Sequence, residues 1–492
     1  MTDFENDWQK SLELALRRVA PLRLEECGLD GIKALRTVSG RALLALDEAL
    51  RRAPPYGEPD EPEEAVADAY LFVAACDGDG FMRQKALIAF RRFPSRLAFA
   101  AGLIRSTDWV AEVRDAGISL VDVVLPRLAA SDVVHSLELV VRLTDRVRAP
   151  HDRWRAAVMP VLIAPAGREA LWAAVRDPVS SSELRRAAFE FLELSETQDL
   201  AEVLSEAVAD PDPRIGLWAL GKAEERLNPG QRVDLLEIAL AADHAAVRLT
   251  ALRLYVAAGV GDRTQTLRAS LFDVSRGVRG FAAFELKRAA REDPLPAWRL
   301  AIDGTDRRRS EVAMVALCEF GDSSDVELLA ADIGRRNVTI RAAILAGLWR
   351  TGSAKLESVL REAVFDRSKV VLRQVNETFG RSNVCLDAST IDAALARADE
   401  KLTANLFAFA QRLGKWEELE FLLRHAIGED ADRAERAADC VDHWVRTEWR
   451  RFTAPSDEQL RRIASLSAAA RSRHSGRRWR TIDHSLSAFG NT

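Results

Sequence analysis

In the run VRLTALRLYVAAG, apolar side chains fall at Val247, Ala251, Leu254, Tyr255 and Ala258. That spacing gathers them on one stripe of a helix. Gly259 and Gly261 follow and can end the helix, because Gly tolerates left-handed backbone. A second pattern, SAKLESVLREAVFD, places Leu356, Val359, Leu360, Ala363 and Val364 on another stripe. The chain alternates these two kinds of segment, and the turn between them carries an Asp: Asp79, Asp108, Asp152, Asp177, Asp210, Asp243, Asp273, Asp306 or Asp366. A carboxylate there is expected to cap free backbone N–H groups at the positive end of the following helix.

The second helices share a phrase: an apolar residue, often Arg, then a small residue three places on. Numbered by its second position, it recurs at Arg83, Arg114, Arg155, Arg185, Gly216, Arg248, Arg279, Ala313, Arg341 and Arg373. The intervals are 31, 41, 30, 31, 32, 31, 34, 28 and 32 residues. Coincidence does not hold such a period over 290 residues, so the pattern predicts a stack of helix pairs. Small residues at Ala86, Ala188, Ala219, Ala251, Ala282 and Ala316 let neighbouring helices approach closely. The one long interval adds about ten residues within Leu120 to Pro150, which reads as an elongated unit.

The run ADPDPRIGLWAL, followed by AADHAAVRLTALRLY and FDVSRGVRGFAAFEL, resembles HEAT repeats of the short kind first noted in phycobilisome lyases, over roughly residues 70 to 380. The resemblance implies an all-α fold, a right-handed α-α superhelix (a HEAT-like solenoid) of about ten repeats with helical N- and C-terminal caps. It also implies structural ladders between units, built from Arg83, Arg114, Arg185, Arg248, Arg279 and Arg341 with Asp177, Asp210, Asp243 and Asp273. Such repeats carry scaffolds, transport receptors, lyases and DNA glycosylases alike, so fold alone does not choose a function. The expected organisation is an N-terminal helical cap with an acidic, Pro-rich connector over 1–69, repeats over 70–385, and a C-terminal cap over 386–492. In the caps, helices are expected around Trp8–Val19, Ser39–Arg52, Ile391–Arg412, Trp416–His425, Ala431–Arg451 and Asp457–Ser472.

Composition narrows the chemistry. The 492 residues are 48% hydrophobic and only 7% aromatic, which suits packed helices. The longest uncharged stretch, Ala156 to Gly167, has 12 residues and two prolines, against the roughly 20 apolar residues of a spanning helix. The acidic start, MTDFENDWQK, is unlike a signal peptide. Five scattered cysteines, Cys27, Cys76, Cys318, Cys385 and Cys440, read as reduced thiols, so a cytoplasmic protein without membrane insertion is expected. GVGDRT at 259 to 264 lacks the strand and the Lys of a phosphate loop. The seven histidines form no H-E-x-x-H pattern and no His-Glu pair, unlike the ligand pairs of the di-iron HEAT-repeat hydroxylases. Asp439, Cys440, Asp442 and His443, near His425 and Glu429, offer too few thiolates or imidazoles for zinc. Cys76 and Cys318 lie in apolar runs and read as core. No catalytic group, metal or cofactor is expected.

The C-terminal end carries the sharpest local signal. From Trp444 to Arg480, ten Arg residues face three carboxylates, and three Trp are interleaved. The candidate contacts to nucleic acid or to an acidic partner are Arg446, Trp449, Arg450, Arg451, Arg471, Arg473, Arg477, Arg478, Trp479 and Arg480. Arg neutralises phosphate and Trp stacks on bases. The plainer reading is a solvated helix face and a basic tail that docks on acidic surface, such as residues 57–68 of the same chain. Arg307, Arg308, Arg309, Arg335 and Arg336 extend a basic strip if they share a face, which sequence leaves open. The functional expectation is a non-catalytic scaffold or adaptor that binds protein partners on a concave solenoid face in a bacterial multi-protein assembly. The alternative is a nucleic-acid-binding protein using the Arg/Trp segment and the concave face.

Overall fold

The computed structural model describes residues 31–51, 66–144, 146, 148–195, 199–259, 261–382, 384–448, 453–474 and 478–487, together with Leu12. Among them the regular structure is entirely helical, with no strand. The expected helix around Trp8–Val19 and the Pro-rich connector lie outside the described residues.

Two compact units form, Met1–Gly261 and Asp262–Thr492. The division falls inside the expected repeat region. It lies at the turn where Gly259 ends helix Ala245–Ala258 with φ of 73° and Gly261 follows at 70°. Only Gly enters that backbone region without strain.

In the first unit the second helices of successive pairs include Gly80–Phe90, Ala111–Val124, Ser182–Glu193, Pro213–Arg226 and Ala245–Ala258. Each buries its apolar stripe in one continuous core that holds Phe72, Phe90, Phe99, Trp154 and Phe189. Burying one such side chain is worth about 1.5–3 kcal/mol. Arg96–Arg105 and Ala111–Val124 pack tightly: a Cβ on Gly117 would stand 2.7 Å from the Ser106 nitrogen.

The Leu120–Pro150 segment is more than an elongated pair. After a 3-10 turn at Leu125–Arg127 it forms Ala130–His135 and Leu137–Thr144. Leu137, Leu139 and Leu143 are fully buried, and Leu137–Thr144 packs on Gly40–Leu50, Arg96–Arg105 and Ser182–Glu193. Its apolar run is therefore core that ties the cap helix Gly40–Leu50 to the pairs.

The second unit continues as helix pairs through Arg307–Phe320, Val338–Thr351 and Lys369–Arg381, and it has its own core around Phe379, Phe407, Phe409, Trp416 and Trp444. The helical stretch expected over Ile391–Arg412 divides into Ala388–Leu395, Glu400–Phe407 and a 3-10 turn at Ala408–Arg412. Asp399 starts the second by accepting the Leu402 N–H at 3.0 Å.

No single helix among the described residues is long and apolar enough to cross a membrane. The helices Asp152–Ile163 and Pro165–Arg176 reach that length only together, and they bend by 94° where they meet.

Candidate interaction surfaces

Six of the nine turn aspartates fall into two kinds. Asp79 and Asp306 cap the next helix directly, accepting the Phe81 and Arg309 N–H groups. Asp108, Asp210, Asp273 and Asp366 stand two residues before the cap position and accept the N–H of residue i+2, at 3.0, 2.7, 2.7 and 2.8 Å. Asp177 also accepts the N–H two residues on, from Val179, but it ends Pro165–Arg176 and stands four residues before the next cap, Ser181. Asp152 lies inside the first turn of His151–Ile163, so it caps nothing.

That placement frees the carboxylate for an Arg 25 residues earlier. Arg83 donates Nε and Nη2 to Asp108, both at 3.1 Å; Arg185 does so to Asp210 at 2.7 and 3.0 Å, and Arg341 to Asp366 at 2.8 and 3.0 Å. The third nitrogen, Nη1, holds carbonyls of the Arg's own turn: Asp77 and Gly78 for Arg83, Ser180 for Arg185, Arg336 for Arg341. One guanidinium thus locks its own turn and the next. Arg114, Arg248 and Arg279 also hold their own turns, through the carbonyls of Asp108, of Ala242 and Asp243, and of Asp273. Arg279 adds a bond to Glu319 at 2.5 Å.

The cap helix joins this scheme. Asp47 on Gly40–Leu50 pairs with the buried Arg105, which also donates to Asp108 at 3.1 Å. Nothing in the repeat phrase marks Asp47 or Arg105, because neither occupies its positions.

The C-terminal segment is largely structural where it is described. Trp444 is fully buried and donates to the Lys415 carbonyl; Trp479 is 3% exposed and donates to the His474 carbonyl. Neither indole offers a face to a base. Arg471 pairs with Asp483, and Arg473 holds the Ile427 and Gly428 carbonyls. Arg446 and Arg480 are exposed. Trp449, Arg450, Arg451 and Arg477 lie outside the described residues, as does the side chain of Arg478.

Burial pushes the Cys76 and Cys318 thiols up to about 12 and Cys440 to about 11, which keeps them protonated at neutral pH. Among the described residues no group of three His, Cys, Asp or Glu side chains is arranged to hold a metal. An open groove of about 500 Å³ is lined by Arg361, Glu362, Phe365, Ser389, Thr390 and Arg397. Its Asp387 neighbour accepts from Ser389, Thr390 and Arg361, and the Ser389 hydroxyl holds that carboxyl down at about 2.

Two surfaces differ in charge. Residues 1–261 hold 32 Lys and Arg against 41 Asp and Glu, a net −9; residues 262–492 hold 38 against 34, a net +4. In the first unit Phe81 is 78% exposed, Trp109 68% and Ile88 51%. Phe81 and Trp109 flank the Arg83–Asp108 clamp in sequence, and Glu112, Asp115 and Asp122 are exposed on the adjoining helix. The repeat phrase did not select Phe81 or Trp109; an aromatic one or two residues after a turn Asp was the available signal. In the second unit Arg307, Arg308 and Arg309 open the helix Arg307–Phe320, and Arg335 and Arg336 precede the neighbouring helix Val338–Thr351.

No protein-family model matches the chain, and no curated protein matches it.

Proposed function

We propose that the chain is a non-catalytic scaffold of HEAT-like repeats, stacked as a right-handed superhelix, that works by binding a partner protein in a cytoplasmic bacterial assembly. The second helices of the pairs present the binding face, the one expected to be concave. The observation that carries the reading is the exposed trio Phe81, Ile88 and Trp109 beside a buried ion-pair clamp. A rigid frame holds large apolar side chains in water at little ordering cost, which is how binding anchors are arranged. Exposed Glu112 and Asp115 on one helix and Lys85, Arg91 and Arg92 on or just after the other surround the trio, while Asp122 is paired with Arg153 at 2.6 Å. The complementary partner is therefore an amphipathic segment of another protein anchored by its apolar face.

The test is a tagged capture from the native host, with and without nuclease, comparing the natural chain with Phe81→Glu/Trp109→Glu. The expected result is a stoichiometric protein partner that survives nuclease and is lost from the variant. A partner retained by a folded variant contradicts this surface; partners lost on nuclease treatment contradict the scaffold reading.

A further inference from the structure

Three second helices of the second unit run parallel. Arg350 donates to the Cys318 and Gly321 carbonyls at 3.1 and 2.6 Å, which sets Val338–Thr351 in register with Arg307–Phe320. Arg341 meets Asp366 near one end of the next pair, and the Trp349 indole meets the Arg381 carbonyl at the other, at 3.1 Å. The N-terminal ends of all three helices therefore share one edge. The turn after Ala388–Leu395 joins it, because the Arg397 guanidinium lies 4.9 Å over the Phe365 ring.

This edge is rich in cations; several of its carboxylates are engaged by caps or ion pairs, and exposed Asp303 and Glu362 also stand on it. Asp306 and Asp399 cap helices, and Asp366 is closed by Arg341. Arg307 pairs with Glu311, and Arg335 with Asp332 at 3.5 Å. Arg308, Arg367 and Lys369 are exposed and make no ion pair among the described residues; Arg397 is exposed and stacked on Phe365. Each helix start adds about half a positive charge of its own.

We infer that this edge of the second unit binds the phosphodiester backbone of a nucleic acid, through Arg308, Arg367, Lys369 and Arg397. Packed helices stand about 8–10 Å apart, so four successive turns span roughly 30 Å. A duplex strand carries a phosphate about every 3.4 Å, and a row of that length meets several of them. Guanidinium forks and helix N-termini both suit phosphate oxygens. The contacts address the backbone, so binding is expected to be indifferent to base sequence. The site is separate from the Arg/Trp segment at the C-terminal end, whose described indoles are buried.

The experiment is fluorescence anisotropy of the full chain with short labelled oligonucleotides, single- and double-stranded, across a salt series. For Arg308→Glu/Arg367→Glu/Lys369→Glu the expected result is at least about a tenfold loss of affinity. The slope of log K against log salt should also fall by about two to three. Circular dichroism checks the fold, and the triple Ala variant should weaken binding in the same direction. Arg446→Glu/Arg480→Glu should bind as the natural chain does. The inference is overturned if the natural chain does not bind, or if the triple Glu variant binds within about twofold of it. It is also overturned if reversing Arg446 and Arg480 costs as much, or if polyglutamate displaces the oligonucleotide as well as inorganic polyphosphate does.

Discussion

Arg185 closes Nε and Nη2 on the carboxylate of Asp210, at 2.7 and 3.0 Å, while its Nη1 holds the Ser180 carbonyl of its own turn. The pair is nearly out of water, with side-chain exposures of 10% and 2%. Asp210 also fixes the entry to its helix by accepting the Asp212 N–H. One side chain therefore joins two helix pairs and sets the geometry of both turns.

Removing one partner leaves the other charge buried. Arg185→Ala is expected to cost about 3 kcal/mol, the lower end for a buried pair because Arg185 keeps some exposure. Arg185→Leu/Asp210→Leu should cost less than either single change, since no charge is then left unpaired. Urea unfolding of the three variants checks this; independent, additive effects would show that the two side chains do not act as a unit.

Glu138 is 3% exposed, and burial is the main reason its carboxyl is held above the ordinary 4.5. Glu183 opposite raises it further, whereas the Arg41 N–H and Arg142 favour the ionised form. A raised folded-state value means the stabilising contribution is complete below 4.5 and is lost as pH rises through the folded value. Glu138→Gln should therefore gain thermal stability relative to the natural chain as pH increases above that point. Melting curves across a pH series test this, and a constant difference at every pH would refute it.

Buried thiols resist labelling. At neutral pH, N-ethylmaleimide should modify the exposed Cys385 quickly, and Cys76 and Cys318 only as the chain unfolds. Peptide mapping by mass spectrometry reads all three; early modification of Cys318 would contradict its placement in the core.

Gly117 sits where two helices touch. Gly117→Ala sets a methyl 2.7 Å from the Ser106 nitrogen and 2.8 Å from the Arg105 carbonyl carbon, both backbone atoms that cannot swing aside. A loss of about 1–3 kcal/mol is expected in chemical denaturation, as for other overpacked contacts. An unchanged midpoint would mean that the helices part at no cost.

The helical class and the pairing of helices were legible in the sequence because each buried stripe repeats at helical spacing, as Val247, Ala251 and Tyr255 do. The role of the turn Asp was only half legible. Residue type cannot tell a direct cap such as Asp79 from Asp108, which stands two residues earlier and faces Arg83. The burial of Trp444 was readable from the stripe Ala434, Ala437, Ala438 and Val441 that it continues; a count of interleaved Arg and Trp does not register that period. Arg308 and Arg367 are far apart in sequence, and only the parallel register of their helices brings them to one edge.

If a rigid repeat frame offers Phe81, Ile88 and Trp109 to a protein partner, the partner must shield the helices that carry them. The most direct measurement is hydrogen exchange of the chain with and without the partner it captures, read by mass spectrometry. Added protection is expected to concentrate in residues 80–90 and 109–122, with the rest of the chain unchanged. Protection confined to other helices, or none at saturating partner, would contradict it.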